Sequence, residues 1–252
     1  MKTFLVLGLF IGVLFGELSA EEYKGKNDWE FNLAPFYIWM MDMKGEVDIG
    51  SKNGEVDVPF DEIADNLEAA FIVNFEGMHK SNFGFLVDVL YMDLENTVGP
   101  SVMRSNVDLD MTLVELSGLY RIQKDKHIFD LIAGIRYAEI DIDVLVSSVG
   151  PLNGANPKKN VDWVDPLVGG RWIWNFDEEL SLIARGDIGG FGVGSDSAWQ
   201  VGALIEWKPF EHASILGGYR VLDIDYDEGS GANYFRYNLK THGPIFGLNF
   251  KW

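Results

Sequence analysis

The feature that most constrains this chain is a period-two alternation of apolar and polar residues along almost its whole length. Successive side chains of a β-strand point to opposite faces, so such alternation predicts strands with one apolar and one polar face. Ten runs show it, at 29–41, 68–79, 83–95, 106–122, 127–145, 162–175, 180–192, 198–208, 213–226 and 233–252. Beyond residue 20, no segment approaches the roughly 18 consecutive apolar residues of a membrane-spanning helix. The sequence therefore predicts an all-β chain.

The connections between the runs alternate between short and long. Short polar turns lie at 79–82, 123–126, 177–179 and 208–211, and longer glycine-rich connections at 97–105, 146–161 and 227–232. This pattern predicts an up-and-down antiparallel barrel of ten strands, with both ends of the meander on the short-turn side. The count falls to eight if weak runs merge, and rises to twelve if residues 46–58 form an additional hairpin.

The first twenty residues predict a secretory signal peptide. Lys2 provides a short positive region, Phe4–Phe15 an apolar run too short to span a membrane, and Ala20 a small residue for cleavage. We therefore expect a signal peptide over residues 1–20 and a single barrel domain over residues 21–252.

Composition narrows the possible functions. The formal net charge is −19, whereas nucleic-acid binding depends on Lys and Arg that neutralise phosphates, so nucleic acid is not an expected partner. The chain has no cysteine, which excludes a disulfide scaffold, a thiolate metal site and a cysteine nucleophile. An acidic chain with 13% aromatic residues is typical of a barrel that has aromatic girdles and charged loops.

Charged residues within the runs indicate which face of each strand points outward. In the fifth run, Phe129, Leu131 and Ile135 share one face, and Asp130 and Arg136 share the other. An Arg that faces lipid at the bilayer midplane costs about 2–4 kcal/mol, so we assign the polar faces to the lumen. A soluble barrel, the main rival fold, would place its apolar faces inside instead. The predicted luminal residues are Glu76, Asp88, Glu115, Asp130, Arg136, Arg171, Arg185, Asp187, Glu206 and Arg220.

This luminal set has two interpretations. The charges could line a narrow polar pore or a small-ligand pocket. Alternatively, they could form a packed salt-bridge network that fills a barrel too narrow to conduct, which we favour because ten strands are closer to the filled eight-stranded barrels than to porins. Buried charges have to be paired in either case.

The last seven residues carry a resemblance. The alternate residues Phe246, Leu248 and Phe250 lead to a terminal Trp252. This ending resembles the final strand of bacterial outer-membrane proteins, which the barrel-assembly machinery recognises. The segments 134–137, 170–172 and 59–67 are also similar to a broad family of uncharacterised Gram-negative outer-membrane barrels. The resemblance implies a location in the outer membrane, with its lipid and lipopolysaccharide as surroundings, and implies no reaction or cofactor.

Three prolines lie within predicted strands, where a closed barrel has no free edge to accommodate a missing donor. The apolar residues of the last run change parity between Leu239 and Phe246. We therefore predict a β-bulge near Gly243–Pro244 that resets the alternation, and strand ends near Pro35 and Pro166.

Residues 59–67, in the first long connection, predict a short helix. Phe60, Ile63, Ala64 and Leu67 fall on one helical face. The helix is either a plug over the mouth, through Phe60, Ile63 and Leu67, or a surface helix that covers its own apolar residues.

An acidic patch is predicted on the two strands that the 123–126 turn joins, at their ends far from that turn. Pairing of the fourth and fifth strands places Asp108 and Asp110 nearly opposite Glu139, Asp141 and Asp143, on the outward face above the membrane. Like charges opposite one another are destabilising unless neutralised. Hard divalent cations could bridge the patch to lipopolysaccharide phosphates, but a solvated acidic rim is favoured because no EF-hand loop is present.

No catalytic motif emerges. His79, His127 and His212 adjoin short turns, and His242 is expected opposite about Gly217–Gly218, where no acid or serine lies. The leading functional prediction is a non-enzymatic barrel of structural type, or one for passive passage of small solutes. A surface-binding barrel whose acidic loops engage lipopolysaccharide, cations or a partner is the alternative, and an outer-membrane lipid-modifying enzyme is the third.

Overall fold

The computed structural model describes residues 28–50, 52–98, 105–146 and 158–252, so the signal peptide predicted over residues 1–20 lies outside the described residues. Within these ranges, no helix is long and apolar enough to cross a membrane. The strands are β1 Trp29–Trp39, β2 Asp42–Ile49, β3 Lys52–Val58, β4 Leu67–His79, β5 Phe83–Val98, β6 Ser105–Lys124, β7 His127–Val146, β8 Lys158–Asn175, β9 Leu180–Gly189, β10 Ser197–Trp207, β11 Ala213–Glu228 and β12 Phe235–Lys251. The helix α1 spans Phe60–Asp65, and a 3-10 turn spans Gly231–Asn233.

Ten of these strands close into an antiparallel barrel. Each of β4 to β11 pairs with the next strand in the chain, β1 pairs with β4, and β1 also pairs with β12. The closing register joins Leu33 to Phe250 and Trp39 to Ile245. The predicted ten-stranded up-and-down barrel is therefore confirmed, and all ten predicted runs correspond to barrel strands.

The hairpin β2–β3 extends the wall beyond the closed barrel. After a two-residue break at Met40–Met41, β2 continues the line of β1 and pairs with the first half of β12, and β3 pairs with the other edge of β2. The suggested hairpin at 46–58 does form, over residues 42–58. It does not raise the strand count of the barrel, because it lies above the β1–β12 closure.

The half of the barrel near the short turns, here called the short-turn half, has an apolar exterior. Its outward side chains are large, apolar and exposed, as for Leu131, Val168, Val201 and Leu248. Aromatic residues flank this belt towards the turns, where Trp172 stacks on Trp174 and Phe83 packs on Tyr120. An apolar exterior with aromatic rims is the arrangement of a transmembrane barrel.

The opposite half, here called the long-loop half, reverses this pattern. Its inward residues form a buried apolar core that includes Met43, Leu90, Met111, Ile140, Trp163, Ile224, Phe235 and Tyr237. Its outward residues are polar, as in β6, where the buried Met111 and Leu113 alternate with Asp110 and Thr112. Such a pattern fits a wall that is surrounded by water, because the apolar faces then have to be buried inside. The assignment of the polar faces to the lumen therefore holds in the short-turn half, whereas in the long-loop half the inward face is apolar.

Strand length agrees with this division. The strands β6 and β7 have 20 residues each. At roughly 3.3 Å per residue and a tilt of about 40°, such a strand rises about 50 Å along the barrel axis, twice the ~25 Å height of an outer-membrane apolar band. About half of the length of these two strands therefore stands clear of the apolar belt.

The proline predictions were wrong in detail. The register of β12 with β11 runs without a shift through Tyr219–Pro244 and Arg220–Gly243, so there is no bulge at Gly243–Pro244. The apolar residues change parity there because they pass from the inward face of one half to the outward face of the other. The bulge occurs instead at Pro35, where both ladders of β1 shift register, and Pro166 lies inside β8 just beyond its last paired residue with β9.

The predicted helix forms, but it does not present one buried apolar face. Ile63 is its buried residue and joins the apolar core, whereas Phe60, Ala64 and the adjacent Leu67 remain exposed. The helix contacts β2 and β5 and lies where no pairing joins β3 to β4 in the described sheet. It therefore covers a gap in the wall.

Candidate functional site

The barrel interior in the short-turn half holds ion clusters that bridge strands that are not neighbours. In the first cluster, Arg171 of β8 reaches Glu76 of β4 at 2.6 Å and Asp130 of β7 at 2.6 Å. Arg121 of β6 contacts the same two carboxylates, at 3.3 Å to Glu76 and 2.8 Å to Asp130. Contacts between β4 and β8 can form only across the lumen, so these side chains point inward.

A second cluster lies next to the first. Arg136 binds Asp187 at 2.8 Å and Glu115 at 3.3 Å, and Arg185 binds Glu115 at 2.6 Å and Asp187 at 2.9 Å. The Gln200 amide donates to Asp187 Oδ2 at 2.5 Å. Two arginines that share two carboxylates form a closed square in which each charge has two opposite partners.

The remaining predicted luminal residues are paired more loosely. Arg220 Nη1 lies 3.7 Å from Asp88 Oδ1, while Arg220 Nε donates to Gln200 Oε1 at 3.1 Å. Its guanidinium stacks over Trp39, 5.0 Å from the ring centroid. Glu206 accepts a hydrogen bond from Ser214 at 2.7 Å and lies 3.6 Å from Lys208 Nζ.

The structure thus places all ten predicted luminal residues in the interior, and it adds Arg121 and Gln200. Arg121 could have been found in the sequence, because it has the same parity as Glu115 on β6. Within each of the two clusters the formal charges cancel, because two arginines face two carboxylates. Such pairing is required, since an unpaired charge in a low-dielectric interior costs several kcal/mol.

A cavity of about 730 Å³ occupies the short-turn half. Its mouth is formed by residues next to the short turns, among them Glu30, Lys208 and Phe210, and its inner end by Asp88, Arg220 and Ile245. Ile245 belongs to the apolar core that fills the long-loop half. The cavity therefore opens towards the short turns and ends against this core.

The acidic patch forms on the outward face, as far as its residues are described. Asp108 is opposite Asp143, Asp110 is opposite both Asp141 and Asp93, and Glu139 lies one pair further along β7. Burial, followed by the charges of Asp93, Asp141 and Asp108, raises the pKa of the Asp110 carboxyl to about 6. No group of three or more His, Cys, Asp or Glu side chains in the described ranges has the geometry of a metal site.

His242 has different neighbours from those predicted. It lies opposite Val221, because β11 extends to Glu228 and the connection to β12 contains a 3-10 turn. Its Nδ1 is 2.9 Å from the Tyr219 hydroxyl and 3.9 Å from Asp42 Oδ2. Both partners approach Nδ1 of His242. In a catalytic triad, by contrast, the acid contacts one ring nitrogen and the other ring nitrogen acts as the base, so His242, Tyr219 and Asp42 do not have that arrangement.

Known structures match this chain over most of its length. The outer-membrane protease OmpT from Escherichia coli matches with a TM-score of 0.55 at 8% identity, over 88% of this chain and 97% of that one. The transport unit of the autotransporter AIDA-I from Escherichia coli matches at 0.46 and 11% identity, over 97% and 96%. The translocator domain of the autotransporter NalP from Neisseria meningitidis matches at 0.45 and 10% identity, over 90% of each chain.

The chain has the fold of the Gram-negative outer-membrane β-barrels. At 8% identity, the likeness to OmpT concerns the backbone and carries no activity with it. No family model matches this chain, and no curated protein matches it in sequence. Its function therefore has to be argued from its own interior and rims.

Proposed function

We propose that this chain is a non-enzymatic, non-conducting barrel of the outer membrane, reached after cleavage of a signal peptide near Ala20, which displays an acidic surface on the cell exterior. The observation that carries the proposal is the apolar core of the long-loop half. Ile140 and Phe235 are fully buried there, and Met92, Met111 and Tyr237 are nearly so. Passive passage of solutes would require a polar path through these side chains.

The paired luminal charges support the same conclusion. Arg121, Arg136, Arg171 and Arg185 each have a carboxylate contact of 2.9 Å or less. Some of these contacts join strands that are not neighbours: Arg171 of β8 binds Glu76 of β4, Arg136 of β7 binds Asp187 of β9, and Arg185 of β9 binds Glu115 of β6. Charge-assisted pairs of this length are strong and geometrically specific. Their arrangement favours a structural role over ion selection.

Conductance of the refolded mature chain in a planar lipid bilayer tests the proposal, with heat-modifiable gel mobility as the check on folding. We expect full insertion with no discrete channels. Discrete channels that change with Arg136→Gln, but not with the outward Arg236→Gln, would establish passage through the lumen and overturn the proposal.

A second candidate function rests on the acidic patch. The raised pKa of Asp110 reflects burial next to carboxylates on both neighbouring strands, a repulsion that a cation would relieve. In this reading, divalent cations bridge the patch to phosphates of lipopolysaccharide. Calcium should then raise the thermal stability of the wild-type barrel and raise it less in Asp110→Asn. An unchanged melting temperature would contradict bridging, and Glu55→Gln, on β3, is the matched control.

The third hypothesis is an outer-membrane lipid-modifying enzyme, and an assay of lipid turnover tests it. Lipid turnover by the refolded barrel that is abolished by His242→Ala would contradict the non-enzymatic proposal.

A further inference from the structure

We propose that the luminal cavity is a binding site for a small zwitterion with adjacent ammonium and carboxylate groups, of the α-amino-acid type, which enters from the short-turn end. The site lies at the inner end of the cavity, around Arg220, Asp88 and Tyr37. The proposal is independent of the function proposed above, because a pocket that is closed at one end conducts nothing.

One luminal ion pair, Arg220–Asp88, is longer than the others. The other four luminal arginines bind carboxylates at 2.9 Å or less, whereas Arg220 lies 3.7 Å from Asp88. Arg220 Nε has a hydrogen bond to Gln200, and its two terminal nitrogens have no hydrogen-bond acceptor among the described residues. Asp88 accepts one hydrogen bond, from Asn74 at 3.1 Å. Both charges therefore retain unused hydrogen-bonding capacity where they face the cavity.

A zwitterion completes these bonds. Its carboxylate can accept the paired N–H groups of the Arg220 guanidinium, for which that planar fork is suited. Its ammonium can donate to Asp88. Because the two groups of an α-amino acid are adjacent, they match an acid and a base held only a few ångströms apart. A simple anion or cation would satisfy one partner and leave the other as it is.

The surroundings favour a ligand with an apolar side chain. Ile72, Leu204 and Ile245 line the same cavity and belong to, or pack against, the apolar core. Tyr37 lines the same cavity, and its hydroxyl has no hydrogen-bond partner in the described part of the chain. The volume of about 730 Å³ lies within the roughly 300–1,000 Å³ range of small-molecule sites.

Isothermal titration of the folded barrel in detergent with L-leucine tests the proposal. We expect saturable binding that is at least tenfold weaker with 4-methylpentanoate, which lacks the ammonium, and with 3-methylbutylamine, which lacks the carboxylate. Asp88→Asn and Arg220→Gln should each weaken binding of L-leucine at least tenfold, and Tyr37→Phe a few-fold. The outward Arg236→Gln should leave it unchanged.

Several results would overturn the proposal. These are the absence of saturable heat with L-leucine, equal binding of the amine or the acid alone, or unchanged binding in Asp88→Asn. If Asp88→Asn or Arg220→Gln fails to show heat-modifiable mobility, Tyr37→Phe decides, because it preserves ring volume and removes only the hydroxyl. Undiminished affinity in that variant would contradict the site.

Discussion

At the residue scale, the interior depends on charges whose partners come from distant parts of the chain. Glu76 on β4 is joined to Arg171, 95 residues away, by two hydrogen bonds. Because both groups are largely buried, each recovers only part of its hydration when the other is removed. Parity along single strands could predict that these residues face the lumen. Pairs that lie opposite each other on neighbouring strands, such as Asp130 and Arg171, follow from the strand register. Parity could not predict the pairs that cross the lumen, such as Glu76 and Arg171, because their strands are not neighbours.

The variant Glu76→Gln should lower the free energy of unfolding by about 3 kcal/mol, because it leaves the Arg171 and Arg121 guanidinium groups with half of their counter-charge. Urea titration with loss of heat-modifiable mobility as the readout measures this. Glu30→Gln removes a 3.3 Å pair with Lys251 that is exposed on both sides, and should change stability by less than about 0.5 kcal/mol. Equal effects of the two variants would show that the luminal cluster is not desolvated.

Asp110 predicts an unusual pH dependence. Its pKa is raised to about 6 in the folded chain, so the folded state holds this proton more tightly than the unfolded state does, and stability falls as the pH rises from about 4 to about 6. Asp110→Asn should therefore stabilise the barrel at pH 8, by about 1 kcal/mol after solvent screening, and have almost no effect near pH 4. Unfolding titrations at the two pH values, with Glu55→Gln as the control, measure this. A gain of equal size at both would contradict it.

At the element scale, single strands change character along their length. In β12, Phe235, Tyr237 and Leu239 are buried inside the barrel, whereas Phe246 and Leu248 point outward. The sequence shows that the apolar residues change parity between Leu239 and Phe246. A β-bulge would explain this change, and so would a wall that passes from water to an apolar environment. Only the unbroken register with β11 distinguishes them. The ten predicted runs do not include the hairpin β2–β3, which the sequence predicted only as an alternative over residues 46–58. Its outward residues, such as Lys44 and Glu46, are charged and exposed, as expected for a wall in water.

The helix α1 offers an element-scale prediction. Ile63 is its one buried residue among those described, and Asp42 Oδ1 accepts the backbone N–H of Phe60 at 2.7 Å. Ile63→Ala removes the apolar contact that holds the helix over the gap between β3 and β4, a loss of about 2 kcal/mol or more. Amide hydrogen exchange should accelerate at least tenfold in α1 and remain unchanged in β7. The exposed Phe60→Ala should leave exchange in α1 nearly unaltered, and an equal effect of both variants would contradict the assignment.

At the scale of the whole molecule, the even number of runs and the alternation of short and long connections predicted the closed ten-stranded barrel. The sequence did not reveal that the barrel has two halves with opposite polarity. A soluble barrel and a membrane barrel share the same alternation, and this chain uses one arrangement in each half. The cavity could not be predicted from the sequence either, because its walls come from most strands and its inner end is determined by packing of the apolar core.

The most direct test of this two-half account is a spin-label scan of outward positions along β7 in a lipid bilayer, feasible because the chain has no native cysteine. Single cysteines at Leu131, Ala133, Ile135 and Tyr137 should carry labels that are accessible to oxygen dissolved in lipid. Labels at Glu139 and Asp141 should instead be accessible to a water-soluble nickel complex. A change between 137 and 139 is the predicted result. Lipid accessibility that continues to 141, or water accessibility that begins at 131, would contradict the account.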